Sequence, residues 1–103
     1  MGRFRYMKLQ EFNWKDFDDG KIAILCHNKI WSDHFMDLYK QCEFEVIIPE
    51  ETGCKFPGEN CYLVYINKNG VKTLVCRPKY YCKNHGVRVI KWVEAIGFGR
   101  FFK

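Results

Sequence analysis

The sequence lacks what would mark it as a membrane, secreted or catalytic protein. Its longest apolar run, Ile22-Ala23-Ile24-Leu25-Cys26, falls far short of the about 20 residues needed to cross a bilayer. The first ten residues mix arginine and lysine with aromatics instead of forming a secretory hydrophobic stretch. Tyr6 stands where an N-myristoylation signal wants serine or threonine. These lacks set the expectation of an unexported, unlipidated, cytoplasmic protein. There is no P-loop, nucleophile elbow or His-Glu-x-x-His motif, and Gly97-Phe98-Gly99 does not open a helix after a strand as a dinucleotide fingerprint must. Asp16, Asp18 and Asp19, and likewise Glu50 and Glu51, read as a solvated turn and a solvated loop, because nothing in the pattern brings a second functional group to them. A non-enzymatic protein that needs no cofactor is expected. No repeat and no linker divides the chain, and 103 residues suffice for one core, so residues 1–103 form one domain.

Acid is scarce in one half only. Residues 60–103 carry nine lysines and arginines against the single acid Glu94, while eleven acids crowd residues 11–59, within a chain of net charge +5. A half this one-sided draws phosphates or an acidic protein patch. Its cations are interleaved with aromatics, and Arg77, Lys79, Tyr80, Tyr81, Lys83 and Arg88 are the candidate ligand-binding residues. The cations hold phosphates, and a tyrosine face stacks on a base. Trp92, alternating with Ile90, is expected in the core, and one of Tyr80 and Tyr81 is expected to point inward.

Cysteine is plentiful. Without an export signal, Cys26, Cys42, Cys54, Cys61, Cys76 and Cys82 are expected as six free thiols. Cys82-x-x-His85, with Cys76, Cys54 and Cys61 as companions, leaves a small zinc-stabilised domain as an alternative, although structural zinc sites usually show two close ligand pairs. The neighbours Cys26 and His27 point to opposite faces of a strand and cannot act together.

Along the chain, residues 1–11 alternate basic with apolar like an arm or added strand, and Asn13 caps a short turn ended by Asp19-Gly20. Residues 21–26 read as an internal strand covered on both faces. Asn28 caps a helix over about 29–42, and residues 44–48 form a strand that Pro49 stops. Runs 61–67 and 71–77 flank Asn69-Gly70, which signals a two-residue type I′ hairpin. That register sets Tyr65 opposite Leu74 and Leu63 opposite Cys76, with Cys61, Leu63, Tyr65, Leu74 and Cys76 on the core face. Residues 79–86 read as a connection, 87–93 as a last strand and 94–103 as an aromatic tail. The order β-α-β-β-β-β predicts an α+β fold: a single, mostly antiparallel sheet of about five strands with one helix packed on a face. A right-handed crossover would put strands 21–26 and 44–48 parallel or one strand apart.

Residues 14–26 (Trp-Lys-Asp-Phe-Asp-Asp-Gly-Lys-Ile-Ala-Ile-Leu-Cys), Asn28, Phe35, Asn60-Cys61-Tyr62, Tyr80-Tyr81, Gly86 and Val89-Ile90-Lys91-Trp92 together resemble small accessory proteins of phages and prophages of Gram-positive bacteria. The likeness spans about residues 12–92 in short matches and departs at both ends. It implies a phage protein in the host bacterial cytoplasm that counteracts immunity. One such role is a sponge sequestering an anionic nucleotide signal, most readily as a homo-oligomer. The other is an anti-CRISPR-like inhibitor that docks on a host defence protein or competes with its nucleic acid. The resemblance carries over no functional residue.

Overall fold

An asparagine opens each of the first two helices. The computed structural model describes residues 12–50, 54–56 and 58–96. Asn13 Oδ1 accepts from Asp16 N–H at 3.1 Å and starts α1 (Trp14–Asp18). Gly20, at φ +75°, then turns the chain into β1 (Ile22–Leu25). Asn28 Oδ1 accepts from Trp31 N–H at 3.0 Å and starts α2 (Lys29–Gln41). Both caps satisfy N–H groups that a first helical turn leaves orphaned. After a long connection come β2 (Asn60–Ile66), β3 (Lys72–Pro78), α3 (Lys79–Asn84), β4 (Arg88–Lys91) and α4 (Trp92–Ala95).

The strands form one sheet in the order β3-β2-β1-β4. β3–β2 and β2–β1 are antiparallel, and β1–β4 is parallel with Ile22 opposite Arg88 and Ile24 opposite Ile90. The fold is α+β, as expected, but the sheet is mixed, with four strands instead of five and more helices than one. β1 is buried along its whole length, as its unbroken apolar run predicts. Ile22 and Ile24 face a core shared with α1, α2 and α4, where Phe17, Phe35, Tyr39, Tyr62 and Trp92 pack. Ala23 and Leu25 face a smaller core with Cys61, Leu63 and Cys82, closed by α3.

The larger core is an aromatic cluster. Phe35 stacks on Tyr62 at 5.5 Å and meets Trp92 edge-on at 5.1 Å and Phe17 edge-on at 5.2 Å. Such contacts add about 1 kcal/mol each beyond the area they bury. Trp92, fully buried, donates its indole N–H to His34 Nδ1 at 2.9 Å, which links α4 to α2. An accepting Nδ1 leaves the neutral His34 ring with its proton on Nε2.

Four expectations need correction. Residues 44–48 form only an isolated bridge, Ile47 to Thr73, parallel to the outer edge of β3. Ile47 N–H donates to Lys72 O and Leu74 N–H to Ile47 O, both at 2.9 Å. Two strands, β3 and β2, therefore lie between this segment and β1, and the charge of Glu45 suits an edge better than a central place. The hairpin is shifted by one residue: Val64 faces Leu74, Leu63 faces Val75 and Tyr62 faces Cys76. Gly70 N–H donates to Asn67 O at 2.9 Å and Asn67 N–H to Val71 O at 3.0 Å, closing a three-residue loop. Only Gly70 has positive φ (+82°), so the turn is not type I′. Asn67 explains the preference, since its Oδ1 accepts from both Asn69 N–H (2.8 Å) and Val71 N–H (3.0 Å). A one-residue slip exchanges faces. Leu74 therefore joins Tyr62 and Val64 in the larger core, while Cys61 and Leu63 stay in the smaller one and Tyr65 is exposed.

The third correction is that residues 79–84 are helical, and the fourth is that the last strand ends at Lys91, where α4 begins. Glu94 and Ala95 thus belong to a helix, and Ile96 is buried. The arm at 1–11 and the rest of the tail, 97–103, lie outside the described residues.

One ion pair ties the hairpin to α1. Lys72 Nζ lies 2.6 Å from Asp18 Oδ2 and 3.4 Å from Asp19 Oδ1, and the Asp18 side chain is only 7% exposed. Asp18, first, and then Asp19 raise the Lys72 ammonium above its ordinary pKa.

Two outcomes follow in urea denaturation. Gly70→Ala and Asn67→Ala should each cost about 1 kcal/mol, the first for positive φ and the second for two lost hydrogen bonds, while Asn69→Ala stays within about 0.5 kcal/mol. Equal losses at Asn69 and Gly70 would restore the two-residue turn. Lys72→Ala should cost about 3 kcal/mol by stranding the Asp18 carboxylate, and Asp18→Asn combined with Lys72→Met should recover most of it.

Candidate functional site

The basic, aromatic segment is a short helix punctuated by the residues at its two ends. Pro78 (φ −61°) stands at the N-cap of α3, where a missing N–H costs nothing. Gly86, at φ +70°, ends it: Gly86 N–H donates to Lys83 O at 3.2 Å and Val87 N–H to Cys82 O at 2.8 Å. This double bond pattern is the Schellman motif. A proline before the segment and a glycine after it were the signal that the sequence reading missed.

Cys82 is the inward anchor of α3, fully buried against the smaller core. Tyr81, half-buried, lies flat along the protein, and Tyr80 is 69% exposed. Lys79 and Lys83 are exposed and one helical turn apart, on one side of α3. Arg77 precedes the helix, with its guanidinium 5.8 Å from the centre of the Tyr81 ring and Nη1 donating to Cys76 O at 2.9 Å. On the other side of α3, the His85 ring stacks on Tyr81 at 4.1 Å and its Nδ1–H donates to Tyr81 O at 2.9 Å. A carbonyl only accepts, so Nδ1 carries the proton.

Five of the six candidate residues therefore lie on or directly before α3: Lys79 and Lys83 along one flank, Tyr81 with Arg77 along the other, and Tyr80 between them. Arg88 does not join them. It pairs with Ile22 on β4 and turns to the opposite face of the sheet. There it lines an open cleft of about 530 Å³ with Phe12, Asn13, Asp16, Ile90 and Glu94. Strand parity decides this, since 88 and 90 share the side opposite Val89. A second cleft, of about 430 Å³, runs between α2 and residues 48–50 and is lined by Asp33, Asp37 and Glu50 beside Lys40. Neither of these clefts includes Arg77, Lys79, Tyr80, Tyr81 or Lys83, and all of these but the half-buried Tyr81 are exposed on an open surface. Of the other aromatics described in this half, Tyr62 and Trp92 are core residues and Tyr65 is exposed.

The cations divide by surroundings. Lys15 pairs with Asp19 at 3.0 Å, Lys29 with Asp33 at 2.9 Å and Lys72 with Asp18. Among the described residues, no carboxylate pairs with Arg77, Lys79 or Lys83.

The cysteines do not stand as expected. Cys54 and Cys76 form a disulfide, and four cysteines are free. The one-residue hairpin shift is the reason: it turns Cys76 away from Cys61, onto the face where Cys54 lies. Cys26, Cys61 and Cys82 are buried, and burial pushes the first two thiols up to about 12 and raises the third. Cys54 and Cys76 hold each other, Cys82 faces the core and His85 stacks outside, so the suggested zinc set is dispersed. Among the described residues, no three histidine, cysteine or acidic side chains gather where they could hold a metal ion. No described helix is long and apolar enough to cross a membrane.

Set against protein-family models, curated proteins and solved structures, the chain matches none.

Thiol labelling checks the cysteine pattern. Without reductant the native protein should label quickly at Cys42 alone, the half-exposed free thiol, because neutral buried thiols are poor nucleophiles. Denaturation without reductant should expose four thiols, and six would refute the bridge.

Proposed function

We infer that this chain is a non-catalytic binding protein that takes a phosphate-bearing partner on the exposed face formed by Arg77, Lys79, Tyr80, Tyr81 and Lys83. One observation carries the reading: among the described residues no carboxylate pairs with Arg77, Lys79 or Lys83, and these cations flank an exposed Tyr80 and a Tyr81 ring that has His85 stacked on it. The cations supply charge-assisted bonds to phosphate oxygens, and Tyr80 supplies a ring for a base. Because the face is open, it suits an extended phosphodiester chain better than one nucleotide, which needs enclosure. The likeness to phage accessory proteins supplies the setting, a protein that shields or competes for nucleic acid against host defence. Sequestration of a nucleotide signal is the second reading, favoured by the arginine-containing cleft on the other face. In either reading a homo-oligomer would multiply weak contacts.

Fluorescence anisotropy with a labelled single-stranded oligonucleotide tests this, beside calorimetry with mononucleotides and cyclic dinucleotides. Arg77→Glu combined with Lys79→Glu should weaken oligonucleotide binding at least about tenfold. The unfolding midpoint should barely move, because exposed cations contribute under about 1 kcal/mol. Lys29→Glu with Lys40→Glu, on α2, should change affinity less than about threefold because screening removes distant charge. Three phosphate contacts predict a slope of log affinity on log salt of about −2. Equal losses in both double variants would reduce the attraction to net charge, and binding of a nucleotide but not the oligonucleotide would move the site to the Arg88 cleft.

A further inference from the structure

The Cys54–Cys76 bridge brackets the basic face. Cys76 immediately precedes Arg77, and its carbonyl accepts from the Arg77 guanidinium at 2.9 Å. From Cys54 the chain runs back to the sheet through contacts that end at the start of α3. Cys54 N–H donates to Tyr62 Oη at 3.3 Å, Gly58 N–H to Cys26 O at 2.7 Å, and the Glu59 carbonyl accepts from Lys79 N–H at 3.3 Å. One covalent bond thus ties the segment after Cys54, whose Glu59 carbonyl holds the backbone of Lys79, to β3 beside Arg77, which the β2–β3 ladder itself keeps in place.

The bridge differs from the three buried thiols in access. Both of its cysteines are half-buried, whereas Cys26, Cys61 and Cys82 are enclosed and held as neutral thiols. A thiol must be a thiolate to attack a disulfide, so these three cannot scramble the bridge, while a dithiol from solution can reach it. We propose that the Cys54–Cys76 disulfide is a redox switch for the basic face: oxidised, it holds residues 54–56 and 58–59 against β3 and the start of α3, and reduced, it releases them.

The reaction is two-electron exchange with a dithiol reductant of the thioredoxin type. One reductant thiolate attacks a bridge sulfur and forms a mixed disulfide, and the other cysteine leaves as thiolate and takes up a proton; the second reductant thiol then loses its proton and attacks the reductant sulfur of the mixed disulfide, and the remaining protein cysteine leaves as thiolate and is protonated. The protein gains two thiols and the reductant gains one disulfide. The aromatic core and β1 do not depend on the bridge, so the fold persists in both states. This inference rests on the binding face proposed above, and its structural half is tested without it.

The test uses the full chain, oxidised and after treatment with dithiothreitol, with two readouts. Hydrogen exchange should speed up at the amides of Cys54, Gly58 and Lys79 by at least about tenfold on reduction, with those of β1 and α2 unchanged. Anisotropy with the single-stranded oligonucleotide should show affinity falling by about tenfold on reduction and returning on reoxidation. Cys54→Ser combined with Cys76→Ser should bind like the reduced protein and ignore dithiothreitol, while Cys42→Ser should remain sensitive. Unchanged exchange at Gly58 and Lys79 on reduction overturns the switch whether or not the oligonucleotide binds. Exchange that speeds up while neither state binds the oligonucleotide supports release of the loop and overturns the assigned binding face instead. Should the double variant fail to fold, exchange in the reduced wild-type protein decides the matter.

Discussion

Because β1 has no solvent-facing side, each of its faces must be covered by something else in the chain. Ile22 and Ile24 require one set of partners, Ala23 and Leu25 another, and the strand needs hydrogen-bonding neighbours on both edges. The larger face is met by the aromatic cluster of α1, α2 and α4. The smaller face accepts only a thin cover, since Ala23 leaves little to pack against, and a six-residue helix fills it. The placement of α3 follows from this requirement. Once Cys82 is drawn inward to close the smaller core, the remaining positions of so short a helix have nowhere to go but outward, and Lys79, Tyr80 and Lys83 occupy them. A need for packing thereby produces the basic surface.

What the sequence made legible was local. The caps at Asn13 and Asn28, the buried character of residues 21–26 and the inward Trp92 all rest on patterns read within a few residues. The failures came where two local signals competed or where distance decided. Asn69-Gly70 advertises a two-residue turn, but Asn67 offers its side chain to two backbone donors and captures the loop one residue earlier. That slip also misassigned Cys76 and hid the disulfide. Residues 44–48 are strand-like in composition, yet their place at an edge depends on how much sheet the rest of the chain supplies. The candidate site was read as a set of residue types, and the structure gathers five of the six on or directly before α3. Arg88 was lost to strand parity, which becomes visible only when the register against β1 is known.

Charge is distributed by the same logic. The acidic half uses several of its carboxylates within the fold, with Asp18 and Asp19 engaging Lys72 and Lys15, and Asp33 engaging Lys29. Among the described residues Arg77, Lys79 and Lys83 meet no such partners, so positive charge gathers around α3, where the described fold does not consume it. A surface of this kind raises the local concentration of polyanions and sets the rate of encounter as much as the final affinity.

The parallel pairing of β1 with β4 has a consequence in time. β1 lies near the beginning of the described chain and β4 near its end, and Trp92, which fills the centre of the aromatic cluster, follows β4 directly. Contacts between such distant segments form late, because loop closure precedes any gain from burial. On the ribosome the hairpin and α2 can form first, but one edge of β1 and the socket for Trp92 stay open until residues 88–92 have emerged. Through that interval the nascent chain exposes an unpaired strand and an apolar hollow together, the pair of features that chaperones bind and that neighbouring chains can invade.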